Sequence, residues 1–326
     1  MPVLKFATFA ALIGTATAVA LLPGLAGAQQ KFPTKPIRLV VAFTAGGTPD
    51  TLARMIAPRL TEVWGQPVVI ENRPGAGGTL AAAIVAKAPA DGYTLLATSP
   101  AFAITAAMNP SLPYDPLKDF AGVSEIGYST TALVVAPALG VKTVKELIAL
   151  ANAKGKLLFG SAGAGSATHM NAERFRAAAG IKAQHVGFKG QPEFLIEIVA
   201  GRVHFGVAGL GPALPFIKDG RLVPLALTSP QRSPVVPDVP AAPEVLPGWG
   251  RDGSQAWLAP AATPRAIRHQ ISKEMARALT HPEIKERLTN IGFQIAPTTP
   301  EEHEKNLRAD IEAFSRVVVQ AGLKPR

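Results

Sequence analysis

The strongest constraint on the fold is an alternation of strand-like and helix-like segments that begins near residue 37. Ile37–Phe43 is apolar apart from Arg38, as expected of a strand buried on both faces. A helix is predicted over Pro49–Trp64, with Thr48 as N-cap and Gly65 at its end. Repeats of this strand-and-helix unit predict an α/β fold, with parallel-type sheets flanked by helices.

The same pattern continues along most of the chain. Further strands are predicted at 68–71, 93–98, 133–136, 156–160, 184–188, 203–208, 222–228 and 256–258. Further helices are predicted at 79–88, 168–179 and 193–200, after Thr143 up to Gly155, after Thr263, and from Thr299 to about Ala321. The alternation therefore supports two sheets rather than one.

Domain organisation follows from length and from a proline-rich segment. The 326 residues suggest about two domains. Residues 229–253 carry six prolines, which exclude a helix and a central strand and indicate an extended crossover. We predict one lobe from residues 29–128 plus 229–326 and a second from 129–228, joined by two crossovers near 129 and 229.

The N-terminal segment predicts export. Phe6–Leu22 is apolar and uncharged, and Ala26-Gly27-Ala28 has the small residues that a signal peptidase requires. We predict a signal peptide over residues 1–28, cleavage after Ala28 and a periplasmic mature protein. The alternative is a membrane anchor. Loss of Lys5 with the peptide lowers the formal charge from +10 to +9.

Composition excludes several function classes. The chain has no cysteine, so it forms neither disulfides nor thiolate metal sites. Its six histidines match no metal-binding pattern, and we predict no metal and no cofactor. His303 lies among charged residues and is predicted to be solvated. The basic surplus is dispersed and aromatic residues are few, which argues against a nucleic-acid partner.

Two glycine-rich loops follow predicted strands and precede predicted helices. The loop Phe43–Asp50 contains Gly46 and Gly47, and the loop Phe159–His169 adds hydroxyls at Ser161, Ser166 and Thr168. In open α/β sheets such loops lie at the ligand-binding edge, and unpaired amides at a helix start favour an anion. Each loop is either an anion site or an ordinary tight turn, and His169 is either a ligand contact or a packing residue. A third loop, Arg73–Thr79, is predicted to be a structural turn.

Enzyme motifs are incomplete. Neither loop completes the dinucleotide pattern G-x-G-x-x-G, although Glu71 at the end of the second strand is in place for a nucleotide ribose. The nucleophile elbow G-x-S-x-G is absent. Ser161 or Ser166 with His169 offers only a dyad. A secreted Ser/His hydrolase therefore stays an alternative, as does a nucleotide-dependent oxidoreductase.

Read together, the motifs resemble the Bug family, the extracytoplasmic binding proteins of tripartite tricarboxylate transporters. The resemblance extends in order through almost the whole mature chain. It rests on the segments Pro33–Val41, Phe43–Arg54, Gln66–Gly78, Asp91–Leu95, Tyr114–Phe120, Gly160–His169, Gly187–Gly190, Leu227–Arg232, Pro237–Pro240 and Pro260–Pro264.

The resemblance implies a two-lobed flytrap that clamps a small organic carboxylate and delivers it to inner-membrane permease subunits. It implies a monomeric binding protein that performs no catalysis, with an orphan sensor as a further alternative. The ligand-binding residues it implies are Phe43, Thr44, Ala45, Gly46, Gly47, Thr48 and Asp50, then Thr98 and Ser99, then Ser161, Ala162, Gly163, Gly165, Ser166 and His169.

The chain departs from the family pattern at positions that bear on the ligand. Phe188 stands where the family often has tyrosine, and Ala42 where it often has proline. Gln191-Pro192-Glu193 is bulkier and more polar than the small residues usual after Gly190. These departures bear on the shape and polarity of the distal pocket, so the resemblance leaves the ligand open.

Overall fold

Two β-sheets organise the computed structural model, which describes residues 32–250, 253–290, 292–320 and 322. The predicted signal peptide and Ala321 lie outside the described residues. In chain order the strands are β1 (Ile37–Val41), β2 (Val68–Asn72), β3 (Thr94–Thr98), β4 (Phe120–Ser129), β5 (Thr131–Val135), β6 (Leu157–Ser161), β7 (Ala183–Gly187), β8 (Phe205–Gly209), β9 (Val223–Leu227), β10 (Gln255–Pro260) and β11 (Phe293–Ile295).

Helices flank both sheets. In chain order they are α1 (Thr48–Trp64), α2 (Thr79–Ala86), α3 (Ala101–Met108), α4 (Val144–Lys154), α5 (Ala167–Ala179), α6 (Gln191–Val199), α7 (Leu210–Lys218), α8 (Ala242–Val245), α9 (Arg265–Leu279), α10 (Pro282–Asn290) and α11 (Pro300–Gln320). Among the described residues, no helix combines the length and the apolar character that a membrane span requires.

The two sheets confirm the predicted α/β class. The first has the strand order β11-β4-β10-β3-β1-β2, and the second has the order β7-β6-β8-β5-β9. β1 pairs in parallel with β2 and β3, and β6 pairs in parallel with β7 and β8. β4 ends one residue before β5 begins, so the chain passes from one sheet to the other at Thr130. The exact lobe boundaries stay a prediction.

The strands that carry the chain between the sheets run antiparallel to their neighbours. β10 is antiparallel to β3 and β4, and β5 is antiparallel to β8 and β9. The sequence did not predict β4, because Gly122, Glu125 and Gly127 interrupt its apolar pattern. It also missed α3, α7, α10 and β11, of which α7 contains Pro215. The prediction that prolines exclude a helix from residues 229–253 is wrong at α8, because Pro243 lies in the first turn of that helix, where a missing N–H costs no hydrogen bond.

A shared apolar cluster connects the two sheets. Ile104 of α3, Met170 of α5 and Phe314 of α11 are buried in it together. Because α5 follows β6 of the second sheet while α3 follows β3 of the first, this cluster packs one lobe against the other. The C-terminal helix therefore contributes to the contact between the lobes.

His303 corrects the prediction that this side chain is solvated. It is 2% exposed, in the first half of α11, and a Cβ atom on Gly122 of β4 would lie 3.2 Å from its Cβ. Burial lowers the pKa of His303 to about 4, and among the described residues its Nδ1 has no hydrogen-bond partner. The flanking Glu301 and Glu302 are exposed. The prediction failed because one residue of a charged run can still face inward on a helix.

Candidate functional site

The loop between β1 and α1, here called the α1 turn (Phe43–Asp50), is held by its own acidic residue. Asp50 is 1% exposed. Its carboxylate accepts hydrogen bonds from Gly46 N, Arg54 Nε and Asn72 Nδ2, each at 2.9 Å. Burial raises the pKa of Asp50, but these hydrogen bonds outweigh it and hold the pKa below its ordinary value. The buried carboxylate therefore holds the backbone of the turn in place through these hydrogen bonds.

The start of α1 differs by one residue from the prediction. Gly47 is the N-cap, and Thr48 and Pro49 are the first helical residues. Gly46 has φ +81°, a conformation that glycine adopts without strain, and Gly47 N donates to Thr44 O at 3.1 Å. Pro49 has no N–H, so the first-turn amides of α1 that have no acceptor within the helix are those of Thr48 and Asp50.

The loop between β6 and α5, here called the α5 turn (Ser161–His169), has the same backbone plan. Gly165 has φ +77°, and Ser166 N donates to Gly163 O at 3.2 Å. Gly165 N donates to His169 Nδ1 at 3.0 Å, and Ser166 caps α5 by accepting from His169 N at 3.2 Å. His169 therefore holds this turn in the way that Asp50 holds the α1 turn.

A buried polar network lies beneath the α5 turn. Ser161 Oγ and His185 Nε2 are 2.6 Å apart, and the rings of His169 and His185 stack with centroids 3.9 Å apart. His169 Nε2 lies 3.7 Å from a carboxylate oxygen of Glu173, which also accepts from Arg176. Burial, and then the neighbouring His169, lower the pKa of His185 to about 4 against the opposite effect of Glu173. His185 is therefore neutral at neutral pH.

A cleft of about 760 Å³ lies where the two turns meet. Of the residues predicted to bind ligand, those on its lining are Phe43, Thr44, Gly47, Thr48 and Ser99. The start of α5 contributes Ala167, Thr168 and Asn171. The first turns of α1 and α5 therefore border the same space.

The remaining predicted residues are not among the cleft lining that the structure describes. In the α1 turn, Ala45 and Gly46 are exposed and Asp50 is buried, and Thr98 borders a separate small cavity with Ser254, His303 and Asp310. In the α5 turn, the residues outside the lining are Ser161, Ala162, Gly163, Gly165, Ser166 and His169. We infer that they shape the turns, while Thr168 and the first-turn amides face the cleft.

Sequence reasoning missed the floor and the far wall of the cleft. The floor is formed where the chain crosses between the sheets, by Ser129, Thr130, Thr131 and Gln255. The far wall comes from Gly209–Pro212 and Leu214 at the start of α7 and from Asn290 and Phe293. The predicted crossover near residue 129 was the one signal that pointed to any of them, because a hinge borders both lobes.

The cleft is polar but uncharged over its described lining. Hydroxyl and amide side chains alternate there with apolar ones, and no Asp, Glu, Lys, Arg or His is among the lining residues that the structure describes. Within the same described ranges, no group of three or more acidic or histidine side chains is arranged to hold a metal ion. Over this described lining, the groups that can donate a hydrogen bond to an ion are backbone amides, hydroxyls and side-chain amides.

Comparison with known proteins identifies the family. Residues 52–323 match the model of the tripartite tricarboxylate transporter family receptor. The chain is 32% identical to a UPF0065 protein of Bordetella bronchiseptica, over 92% of this chain and 90% of that protein. It is 31% identical to protein BugT of Bordetella pertussis, over 90% and 91% of the two chains.

A solved structure agrees with this assignment. An R. palustris protein determined with adipate is 34% identical and has a TM-score of 0.73, covering 90% of this chain and all of that one. The resemblance to the Bug family is confirmed by the family model and by BugT together. The chain belongs to the tripartite tricarboxylate transporter receptor family.

Proposed function

We propose that this protein is a periplasmic solute-binding protein that captures a small organic carboxylate and passes it to a membrane permease. The observation that carries the proposal is that the first turns of α1 and α5, which follow strands of different sheets, border one cleft. Family membership supports the same function, because the family is one of transporter receptors. The R. palustris relative has a carboxylate, adipate, in its structure.

The physical basis is the electrostatics of helix starts. The unpaired N–H groups of a first turn point outward, and the helix dipole favours a negative charge there. Thr48 and Ala167 are exposed at these two positions, on opposite lobes. One carboxylate between them accepts hydrogen bonds from both, each contributing about 1.5–3 kcal/mol.

This geometry couples binding to lobe closure. An open cleft offers the carboxylate one helix start, whereas a closed cleft offers both at once. The ligand therefore binds the closed state more tightly and shifts the population toward it. A permease that recognises the closed form receives loaded protein in preference to empty protein.

The hydrolase alternative has little support in the side-chain geometry. Ser161 is fully buried beside His185 rather than His169. Ser166 Oγ donates to Gly163 O at 2.7 Å. His169 Nδ1 accepts from Gly165 N, so it is not available to activate a serine. A reactive serine needs an accessible hydroxyl with a free base beside it, and neither serine has one.

The proposal is tested by isothermal titration calorimetry with a panel of small carboxylates and with Ala167→Glu. This variant places a negative charge at the start of α5, where it favours the helix but repels a bound carboxylate. We expect at least about a hundredfold weaker binding with no loss of melting temperature.

The control is Ala266→Glu, the same change in the first turn of α9, where the residue is exposed and does not line the cleft. We expect this variant to bind as the original protein does. Equal binding by Ala167→Glu, or binding of neutral solutes only, contradicts the proposal.

A further inference from the structure

We infer that the floor of the cleft binds a hydroxyl group of the ligand, so that the ligand is a hydroxylated carboxylate. This inference rests on the proposed function, since it takes a carboxylate to be bound at the starts of α1 and α5. It deepens that function by naming a second group that the cleft recognises. The residues that bind this group, here called the floor pair, are Thr130 and Gln255.

Thr130 brings a hydroxyl to the cleft floor, and its backbone is already paired. It stands between β4 and β5, where the chain crosses from one sheet to the other. Its N–H donates to Gly292 O at 3.1 Å, and its carbonyl accepts from Leu210 N at 2.8 Å. Thr130 is 1% exposed, and its Oγ1 has no hydrogen-bond partner among the described residues. The hydroxyl is therefore held rigidly at the crossing and is left to a bound molecule.

Gln255 brings a side-chain amide to the same floor. It is the first residue of β10, and its backbone pairs with Gly127 of β4, three residues before Thr130. Gln255 is 6% exposed, and within the described ranges its Oε1 is buried without a hydrogen-bond partner. The terminal torsion of a glutamine is broad and nearly two-fold, so either end of the amide can turn toward the cleft. Gln255 can therefore accept a hydrogen bond from the ligand or donate one to it.

Other polar side chains of the described lining are already engaged. Thr131 Oγ1 and Thr228 Oγ1 lie 2.6 Å apart. The Gln191 side chain is bonded at both ends to Gly209, donating to its carbonyl and accepting from its N–H, each at 3.1 Å. The floor pair differs from these residues because each of its members keeps a buried polar atom that a ligand can meet.

A hydroxyl is the ligand group that fits the floor pair. Both members can donate or accept, and a hydroxyl does both at once. A hydrocarbon group leaves their polar atoms unmet, and a ligand that displaces water without reproducing its hydrogen bonds loses affinity. An ammonium group also donates, but the starts of α1 and α5 border the same cleft with partial positive charge and repel it.

The first test scans the position of the hydroxyl. Isothermal titration calorimetry at neutral pH compares butanoate with 2-, 3- and 4-hydroxybutanoate, and glutarate with 2- and 3-hydroxyglutarate. We expect at least one hydroxylated acid to bind about tenfold or more tightly than its parent acid, and more tightly than its own amino analogue.

The outcomes separate the inference from the proposed function. If a parent acid binds and no hydroxylated acid gains this factor, the inference is overturned and the proposed function stands. Tighter binding of the amino analogue overturns the inference in the same way. If no acid of either series binds, the result counts against the proposed function and, with it, the inference.

The second test assigns the gain to the floor pair. Thr130→Val keeps the shape of the side chain and removes the hydroxyl, and Gln255→Met keeps the length and removes the amide. The oxygen removed in each has no partner among the described residues, so we expect neither variant to lower the melting temperature. We expect each to weaken binding of the hydroxylated acid about tenfold and to leave the parent acid within about twofold.

The matched control is Thr263→Val. Thr263 is 3% exposed, its Oγ1 also lacks a hydrogen-bond partner in the described part of the chain, and it lies outside the described lining of the cleft. We expect this variant to keep the affinity ratio of the hydroxylated acid to its parent. A ratio that stays unchanged in both Thr130→Val and Gln255→Met overturns the assignment of the floor pair.

Discussion

The α1 turn and the α5 turn have nearly the same backbone conformation, but a carboxylate holds the first and an imidazole ring holds the second. Their N-caps, Gly47 and Ser166, have φ/ψ of −69°/162° and −69°/160°. In both turns a glycine with positive φ donates its N–H to the side chain four residues later. That side chain is the ionised Asp50 in one lobe and the ring of His169 in the other.

The residues that contact these two side chains also differ in charge: Asp50 contacts a cation and His169 contacts a carboxylate. Asp50 pairs with Arg54 one turn further along its helix, and His169 lies 3.7 Å from Glu173 at the same spacing. Asp50 is therefore part of a charged network, whereas His169 stacks on a second, neutral histidine. The two turns thus share a backbone conformation that exposes the start of a helix. In the first lobe a salt bridge stabilises it, and in the second lobe stacked histidine rings do so.

The largest expected effect tests the charged side of this comparison. Asp50→Ala removes the acceptor of three hydrogen bonds and leaves Gly46 N and Asn72 without it. We expect the free energy of unfolding to fall by about 3 kcal/mol, measured by urea denaturation. The control, Arg54→Ala, removes only a half-exposed partner and should cost less than about 1 kcal/mol. Equal losses in the two variants would show that the ion pair, not the hydrogen bonds, holds the turn.

The next effect is a pH dependence to which His185, beneath the α5 turn, and His303, in α11, both contribute. The unfolded chain protonates His185 and His303 near 6.5, whereas the folded protein protonates them only near 4. The unfolded state therefore binds more protons in this window, and stability falls as the pH decreases through it. We expect a loss of about 3 kcal/mol between these limits, with the half-buried His185 contributing the smaller share.

The α1 turn should respond only at lower pH. The pKa of Asp50 lies below its ordinary value in the folded protein, so its contribution is lost as the pH falls through that lowered pKa. Urea denaturation across the pH range measures both effects, and His185→Gln should make the dependence above pH 4 shallower. A stability that does not change between pH 6.5 and 4.5 contradicts the assignment of neutral, buried histidines.

The smallest effect concerns the two N-caps. Ser166→Ala removes the cap of α5 and should cost about 1 kcal/mol in urea denaturation. Ser166→Gly reproduces the residue that the α1 turn uses at this place, and should cost only a few tenths of a kcal/mol. Ser315→Ala is the control, since its hydroxyl donates to Ile311 O within α11 and caps no helix. If Ser166→Gly lowered the free energy of unfolding more than Ser166→Ala does, the two turns would not be equivalent at their N-caps.

The sequence predicted local features well where one signal dominates. The helices predicted to begin at Thr143 and Thr299 are present. Thr299 and Glu302 form a capping box at the start of α11, and Thr143 caps α4 by accepting from Glu146 N. The glycine-rich loops were correctly placed between strands and helices. The side chains within them were harder to assign, because burial turns Asp50 and His169 away from the cleft.

The sequence by itself determined the α/β class, indicated the family, and placed two glycine-rich turns between strands and helices; the crossover near residue 129 was also its prediction. These predictions follow from short-range patterns, such as hydrophobic periodicity, helix caps and glycine or proline positions, which depend on residues close together in the chain. Only the tertiary structure decided that Ser161 belongs with His185, that His303 is buried, and that Gln255, Leu214 and Phe293 complete the cleft. Such pairings join residues far apart in the chain, and they depend on which faces of strands and helices pack together.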